Sequence, residues 1–470
     1  MNGTTYKVRI YKTEKRKNAK GVVTSYRVLW QTDGKSRKKA FQKTAQADAY
    51  RSALVTASRN GEAFSMATGE PVSWAREDKP EMSWYDFACR FVDMKWKAAS
   101  AKYRQDISRA LTAATPALLA DGPGKPDALA LRTAMRRWGY NTKQRADASP
   151  EVAEVIRWLA ENSQPVAVLA DPAILRAVLD TATSLLNGKR AATSTVIRNK
   201  TILQNALDYA VEIGVLAENP IKKLKWSPPK VAHEVDRRSV VNHAQARALL
   251  KAVGEQTRSG PRLVAFFAVM YYAALRPEEV VNLREDNVIL PALVLNEETG
   301  EWEEPANGWG ELHLAAAAPF AGREWTDGGT LREERALKHR ADGHTRAVPC
   351  PPALTRTLRA HMAVAYGRGP DGRLFFGEQG GELPGITYRR AWKKARRTAL
   401  TDREYASPLA RRVYDLRHAC VSTWLNAGVP ATQVAEWAGH SVEVLLRIYA
   451  KCIVGQDEAA KRRISEALDG

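Results

Sequence analysis

The chain has 470 residues, with 72 Lys plus Arg against 52 Asp plus Glu and a formal net charge of +20. That length exceeds what one compact core supports, so two to four domains are expected, and 44% hydrophobic against 26% charged residues excludes a mostly disordered chain. No apolar run reaches the roughly 18 residues of a spanning helix, and the polar start Met1-Asn2-Gly3-Thr4-Thr5-Tyr6 lacks a signal peptide's apolar stretch, so a soluble, cytoplasmic protein with a polyanionic partner is expected, nucleic acid rather than membrane.

The first 60 residues hold 15 Lys or Arg against three acids, a net +12, so more than half of the excess charge lies in about an eighth of the chain. Tyr6-Lys7-Val8-Arg9-Ile10-Tyr11 and Ser25-Tyr26-Arg27-Val28-Leu29-Trp30 alternate apolar or aromatic with basic or polar residues, the period of half-buried strands. The turn Thr32-Asp33-Gly34 leads into a third strand over 35–41, and a helix follows with Ala45, Ala49, Leu54 and Val55 as its apolar side. A basic three-stranded sheet plus helix over 1–72 can lay a positive face along a DNA groove, with Lys35, Arg37, Lys38 and Lys39 as candidate DNA contacts. A polar, Pro-containing linker over 73–80 precedes an all-α second domain over 80–221, in which the 194–216 run sets Val196, Ile202, Leu203, Ala206, Leu207 and Ala210 on one side. The segment 222–238, with Lys222, Lys223 and Lys225 among its bases and Pro228-Pro229, reads as a basic, extended linker to a mixed third domain. Cys89, Cys350, Cys420 and Cys452 have no paired spacing, so no disulfide framework, metal or cofactor is indicated.

In the third domain an apolar helix over 261–275 stops at Arg276, and Pro277 suits the first position of a new helix with Glu278 and Glu279 in its first turn. A hairpin is predicted from 335–340 and 345–349 around the turn Ala341-Asp342-Gly343-His344. Tyr414-Asp415-Leu416-Arg417-His418 then precedes an apolar helix. Gly439 closes the next one as a C′ residue, His440 follows, and Ser441 can cap a helix that ends in Tyr449. Arg276 with Glu279, a hairpin lysine, Tyr414-x-x-Arg417-His418, Gly439-His440, and Tyr449 nine residues after His440 together resemble the tyrosine recombinase (phage integrase) family. The resemblance covers 235–470. More loosely, the wording of 271–277, 302–319 and 414–418 is similar to integrases of actinobacterial mobile elements.

The resemblance implies a multidomain fold: an arm-type DNA-binding module (1–72), a helical core-binding domain (80–221), a basic linker (222–238), and a mainly α catalytic domain (239–470) with an amphipathic C-terminal helix. It implies site-specific recombination through a 3′-phosphotyrosyl intermediate and a Holliday junction, by a homotetramer on double-stranded DNA attachment sites, with an accessory excision or host DNA-bending factor as a possible partner. Arg276, Lys338, Tyr414, Arg417, His440 and Tyr449 fall on its catalytic positions, with Glu279 and His418 in support. The residue types suit the chemistry. A phenol makes a reversible phosphodiester link without ATP or metal, two guanidiniums can hold the non-bridging oxygens, and a lysine can protonate the leaving 5′ oxygen. Tyr414 departs from the family's usual His; a phenol near pKa 10 is a poor base at pH 7, so it is assigned a phosphate-binding role and the general base stays open. A type IB topoisomerase-like relaxing enzyme and a non-catalytic DNA-binding derivative of an integrase are the alternatives.

Overall fold

The computed structural model describes residues 3–17, 21–76, 81–185, 189–226, 234–337, 343–369, 371–452 and 457–469. The chain divides into two compact units, Met1–Ser83 with Pro165–Ala167, and Trp84–Gln164 with Val168–Gly470.

In the first unit the long strand Val23–Thr32 runs down the middle of an antiparallel sheet. Lys35–Phe41 pairs along one edge, and Val8–Ile10 and Glu14–Lys17 share the other. The expected first strand over 6–11 appears as Val8–Ile10, and Glu14–Lys17 is a further strand the pattern did not suggest. Between the two, Arg51 Nε donates to the Tyr11 carbonyl (2.8 Å) and Thr13 Oγ1 to Asp48 (3.0 Å). Asp33 and Gly34 both turn left-handed (φ 48° and 82°), as a two-residue hairpin turn requires. The helix buries Ala47, Leu54 and Ala57 against Val28 and Trp30; Ala45 and Ala49, expected on that side, face water. Register sorts the strand cations. Lys35, Arg37 and Lys39 oppose Thr32, Trp30 and Val28 and so share the helix-covered face, whereas Lys38 opposes Leu29 on the open face, beside Arg9 and Arg27. Arg37 donates to the Met66 carbonyl and Lys39 pairs with Glu70 (3.2 Å).

In the second unit, helices Trp84–Trp96, Ala101–Ala114, Pro150–Glu161, Pro172–Ala182 and Thr193–Glu212 pack around Phe87, Phe91, Leu111, Leu179 and Leu203. The 121–127 interruption ends where Asp127 accepts from the Leu129 and Ala130 amides as a helix cap. Lys222 and Lys223 lie not on an extended connector but in a short helix, Pro220–Lys223, paired with Asp208 and Glu218 at the surface; Lys225 is exposed. The rest of the predicted linker lies partly outside the described residues.

The helix Gly260–Tyr272 is apolar on nearly every face and forms the centre of the remaining core, flanked by His243–Gly254, Pro352–Met362, Gly385–Ala399 and Asp415–Asn426. On one side stands an antiparallel sheet of Arg346–Cys350, Gly310–Leu314 and Val288–Ile289. Among the described residues, the two arms of the predicted 335–349 hairpin do not pair with each other. Arg346–Cys350 pairs with Gly310–Leu314 instead, and Arg335–Ala336 pairs with Ala316–Ala317. The longer apolar strand Gly310–Leu314 competes for Arg346–Cys350 and buries Leu312, Leu314, Val348 and Cys350 together.

A segment over 319–333 locks the helical bundle to this part. Trp325, 2% exposed, stacks near Trp96, and the buried Arg104 makes a bidentate pair with Asp327 (2.7 and 3.1 Å) while donating to the Trp325 and Trp96 carbonyls. Lys143 donates to the carbonyls of Thr326 and Asp327, and Asn141 to that of Glu324. Replacing Trp325 by Ala removes the apolar centre of this lock. Chemical denaturation is expected to register a loss of about 3–5 kcal/mol, with new proteolytic cleavage between 319 and 333; an unchanged digestion pattern would refute the lock.

Candidate active site

Arg276 stands between Gly260–Tyr272 and the short helix Pro277–Val280, whose first residue is the expected proline. Glu279, third in that turn, reaches back: one carboxylate oxygen accepts the Arg276 backbone N–H (2.8 Å), the other its Nη1 (2.8 Å). Arg276 Nη2 donates to the carbonyl of Gly439 (2.7 Å), which ends the Ala431–Ala438 helix in the left-handed conformation expected of a C′ glycine (φ 63°, ψ 49°). Ser441 caps Val442–Tyr449 by accepting from the Val444 amide (3.2 Å). Two pairs of neighbouring helices, joined by a contact across 163 residues of sequence, thus converge on one spot.

Arg417, on the Asp415–Asn426 helix, has no exposed surface. Nη1 donates to the Ala274 carbonyl, and Nη2 donates to the Ala438 carbonyl and to His440 Nε2 (2.8 Å). Ala274 holds a left-handed φ of 54°, a strain of about 1–2 kcal/mol for a residue with a Cβ, and this turn presents its carbonyl to Arg417. Tyr449 is also fully buried, in an apolar cluster with Cys420, Val434, Ala438 and Leu445, and its hydroxyl meets His418 Nδ1 at 2.8 Å. Tyr414 precedes the helix, with its ring edge-on to His418 (5.0 Å).

One group here lay outside the sequence expectations. Arg346, 2% exposed, places both terminal nitrogens on the Glu279 carboxylate (3.0 and 2.8 Å). Its signal was available: in the strand Arg346–Cys350, Arg346 shares a face with the apolar Val348 and Cys350, and an arginine on a buried face needs an acid. Lys338 lies outside the described residues. Of the other expected site residues, Arg276, Glu279, Tyr414, Arg417, His418, His440 and Tyr449 come together, while Lys35, Arg37, Lys38, Lys39, Lys222, Lys223 and Lys225 belong to the surfaces described above.

Burial alone would push the Glu279 carboxyl up; Arg346 and then Arg276 more than offset this and hold it at about 2. His418 and His440 are each pushed down to about 3, by desolvation first and then by neighbouring guanidiniums, so both rings are neutral at pH 7. Burial raises the Tyr449 phenol. Three buried guanidiniums face one carboxylate, leaving excess positive charge, and among the described residues Arg346 Nε, Arg417 Nε and His440 Nδ1 are buried without a hydrogen-bond partner. Arg276 and Glu279 also line a cleft of about 880 Å³ shared with Lys102, Arg198 and Arg335, on which the helical bundle closes. Such a site can bind an anion through guanidiniums beside a phenol and a neutral imidazole. No cluster of potential metal ligands occurs, and no helix is long and apolar enough to cross a membrane, among the described residues.

No family model matches the chain, and no curated protein does. Solved structures similar to it include a Tn1549 transposon integrase fragment in complex with transposon right-end DNA (14% identity, 68% of this chain and 92% of that one, TM-score 0.44). Others are XerH site-specific recombinase bound to its difH substrate before cleavage (10% identity, 83% and 97%, TM-score 0.44) and a lambda integrase tetramer bound to a Holliday junction (10% identity, 89% and 90%, TM-score 0.42). At these scores the weight falls on the side-chain geometry.

That geometry has a thermodynamic consequence. Between about pH 6.5 and 3 the unfolded chain binds protons at His418 and His440 that the folded chain excludes, so stability falls as pH drops through that window. Each ring contributes a slope of up to about 1.4 kcal/mol per pH unit. Denaturation midpoints from pH 7 to 4 should show this slope, and His418→Gln or His440→Gln should each flatten it.

Proposed function

We propose that this chain is a tyrosine recombinase, an integrase that cuts and rejoins DNA at attachment sites through a 3′-phosphotyrosyl intermediate and so inserts or excises a mobile element. The observation that carries this is the convergence of Arg276, Arg417, His440 and Tyr449 on one buried, positively charged site, in the order and spacing their sequence suggested. A scissile phosphate would displace the internal carbonyl contacts of Arg417 and Arg276 and take their guanidiniums on its non-bridging oxygens, where charge builds in the transition state. His440 adds a donor through Nδ1, and the Tyr414 ring stands 5.9 Å from the Arg417 guanidinium.

In the cleavage step the Tyr449 oxygen bonds to phosphorus and the bond from phosphorus to the 5′ oxygen breaks. Lys338 supplies the proton that makes the leaving group a 5′ hydroxyl. The 2.8 Å contact between His418 Nδ1 and the Tyr449 hydroxyl supports His418 as the base that takes its proton. Its basicity is low first because it is buried and then because Arg412 and Arg417 face it, and a bound phosphate would offset the arginine part. Rejoining reverses each transfer. Because each protomer cuts one strand, two exchanges need four protomers. Exposed Ile464 and Leu468 on the Asp457–Asp469 helix offer apolar surface that a neighbour would cover.

A suicide DNA substrate tests the mechanism. Wild type should form a covalent adduct and Tyr449→Phe none, while Arg417→Ala should lose at least about 100-fold in cleavage rate. His418→Gln should slow adduct formation about 100-fold or more with little change in DNA affinity; unaltered cleavage would exclude it as the base. Strand exchange between two sites, rather than relaxation alone, separates this reading from a topoisomerase. For the N-terminal sheet, Lys38→Ala and Arg9→Ala should each lower the salt dependence of DNA binding by about 0.9 in logarithmic slope, with smaller effects from Arg37→Ala and Lys39→Ala, which lie on the helix-covered face.

A further inference from the structure

The role of Arg346 follows from what its nitrogens already hold. Both terminal nitrogens are spent on Glu279 (3.0 and 2.8 Å), and the side chain is sealed on the inner face of its strand with Val348 and Cys350. The same two carboxylate oxygens hold the side chain and the backbone of Arg276 (2.8 Å each). Glu279 is therefore shared between one arginine that lines the cleft and one that is buried. With only Arg276 and the more distant Arg417 (4.0 Å) facing it, the carboxylate would cancel much of the charge that Arg276 should offer a phosphate. A second guanidinium, tied to the acid by a fork, takes up that negative charge and leaves Arg276 positive.

Resting on the recombinase reading, we propose that Arg346 is a positioning residue: it neutralises Glu279 so that the carboxylate orients Arg276 without quenching it. The backbone nearby is built around it. A Cβ on Gly439 would lie 2.2 Å from Arg346 Nη1, so Arg346 excludes any larger residue from the position whose carbonyl receives Arg276 and whose neighbour is His440. Arg346 thereby sets both the charge and the place of Arg276 while touching no substrate.

The test is a double-mutant cycle on the full chain with the suicide substrate, following DNA affinity and the single-turnover cleavage rate separately. Arg346→Met should lower the rate about 100-fold, the scale of one lost oxyanion donor, with DNA affinity within about threefold. Because its Glu279 is less well paired and titrates higher, its deficit should shrink as pH falls, as protonation removes the quenching charge. Adding Glu279→Gln to Arg346→Met should recover part of the rate, and Arg346→Met should cost no more than about threefold in a Glu279→Gln background. A purely structural role predicts the reverse, an equal loss in both backgrounds and no pH rescue, and would overturn the proposal; so would wild-type cleavage by Arg346→Met. If Arg346→Met alone fails to fold, Glu279→Gln against Glu279→Gln/Arg346→Met decides, since the double variant removes the acid and its buried partner together: a further 100-fold loss refutes the proposal. Absence of an adduct with wild type would instead sink the recombinase reading itself.

Discussion

A carboxylate almost without access to water, Glu279, sits among Arg276, Arg346 and Arg417, the last at 4.0 Å. Burying one such charge unpaired would cost several kcal/mol, and burying three guanidiniums unpaired would cost more. Together they are tolerable because the acid fastens Arg276 and Arg346, the carbonyls of Ala274 and Ala438 hold Arg417, and that of Gly439 takes a second nitrogen of Arg276. The arrangement leaves a positive remainder, and this is what makes the site attractive to a phosphate. The left-handed turn at Ala274, the left-handed Gly439 and the pairing of Arg346–Cys350 with Gly310–Leu314 all serve to bring these partners within reach.

The same charge governs the two histidines. Held near several guanidiniums and out of water, both remain neutral, so His440 can accept from Arg417 on one nitrogen and His418 can contact the Tyr449 hydroxyl. The surroundings of Tyr449 are apolar, and burial raises its phenol.

Much of the local structure was legible. Pro277, Gly439 and Ser441 do at their helix ends what their chemistry dictates, and the alternation in 25–30 and 35–41 yields strands, because caps, turns and short periods are decided within a few residues. The sequence was less informative where a segment had more than one partner to choose from. Among the described residues, the arms of the locally plausible 335–349 hairpin pair instead with strands upstream, 346–350 with Gly310–Leu314 and 335–336 with Ala316–Ala317. The strand Glu14–Lys17, all polar or charged, carried no strand pattern to read, and the buried side of Thr44–Arg59 follows Ala47, Leu54 and Ala57 rather than the alanines picked from the pattern.

By itself the sequence determined the cast of the site: Arg276, Arg417, His440 and Tyr449 are recognisable from residue type, order and spacing. Only the tertiary structure decided who holds whom. Arg346 is unremarkable in the chain until a strand face turns it inward onto Glu279, and His418 could be packing or chemistry until Tyr449 meets it at hydrogen-bond distance. The physical reason is that burial and charge pairing are sums over everything within a few ångströms, and the members of that sum lie up to about 170 residues apart in the sequence.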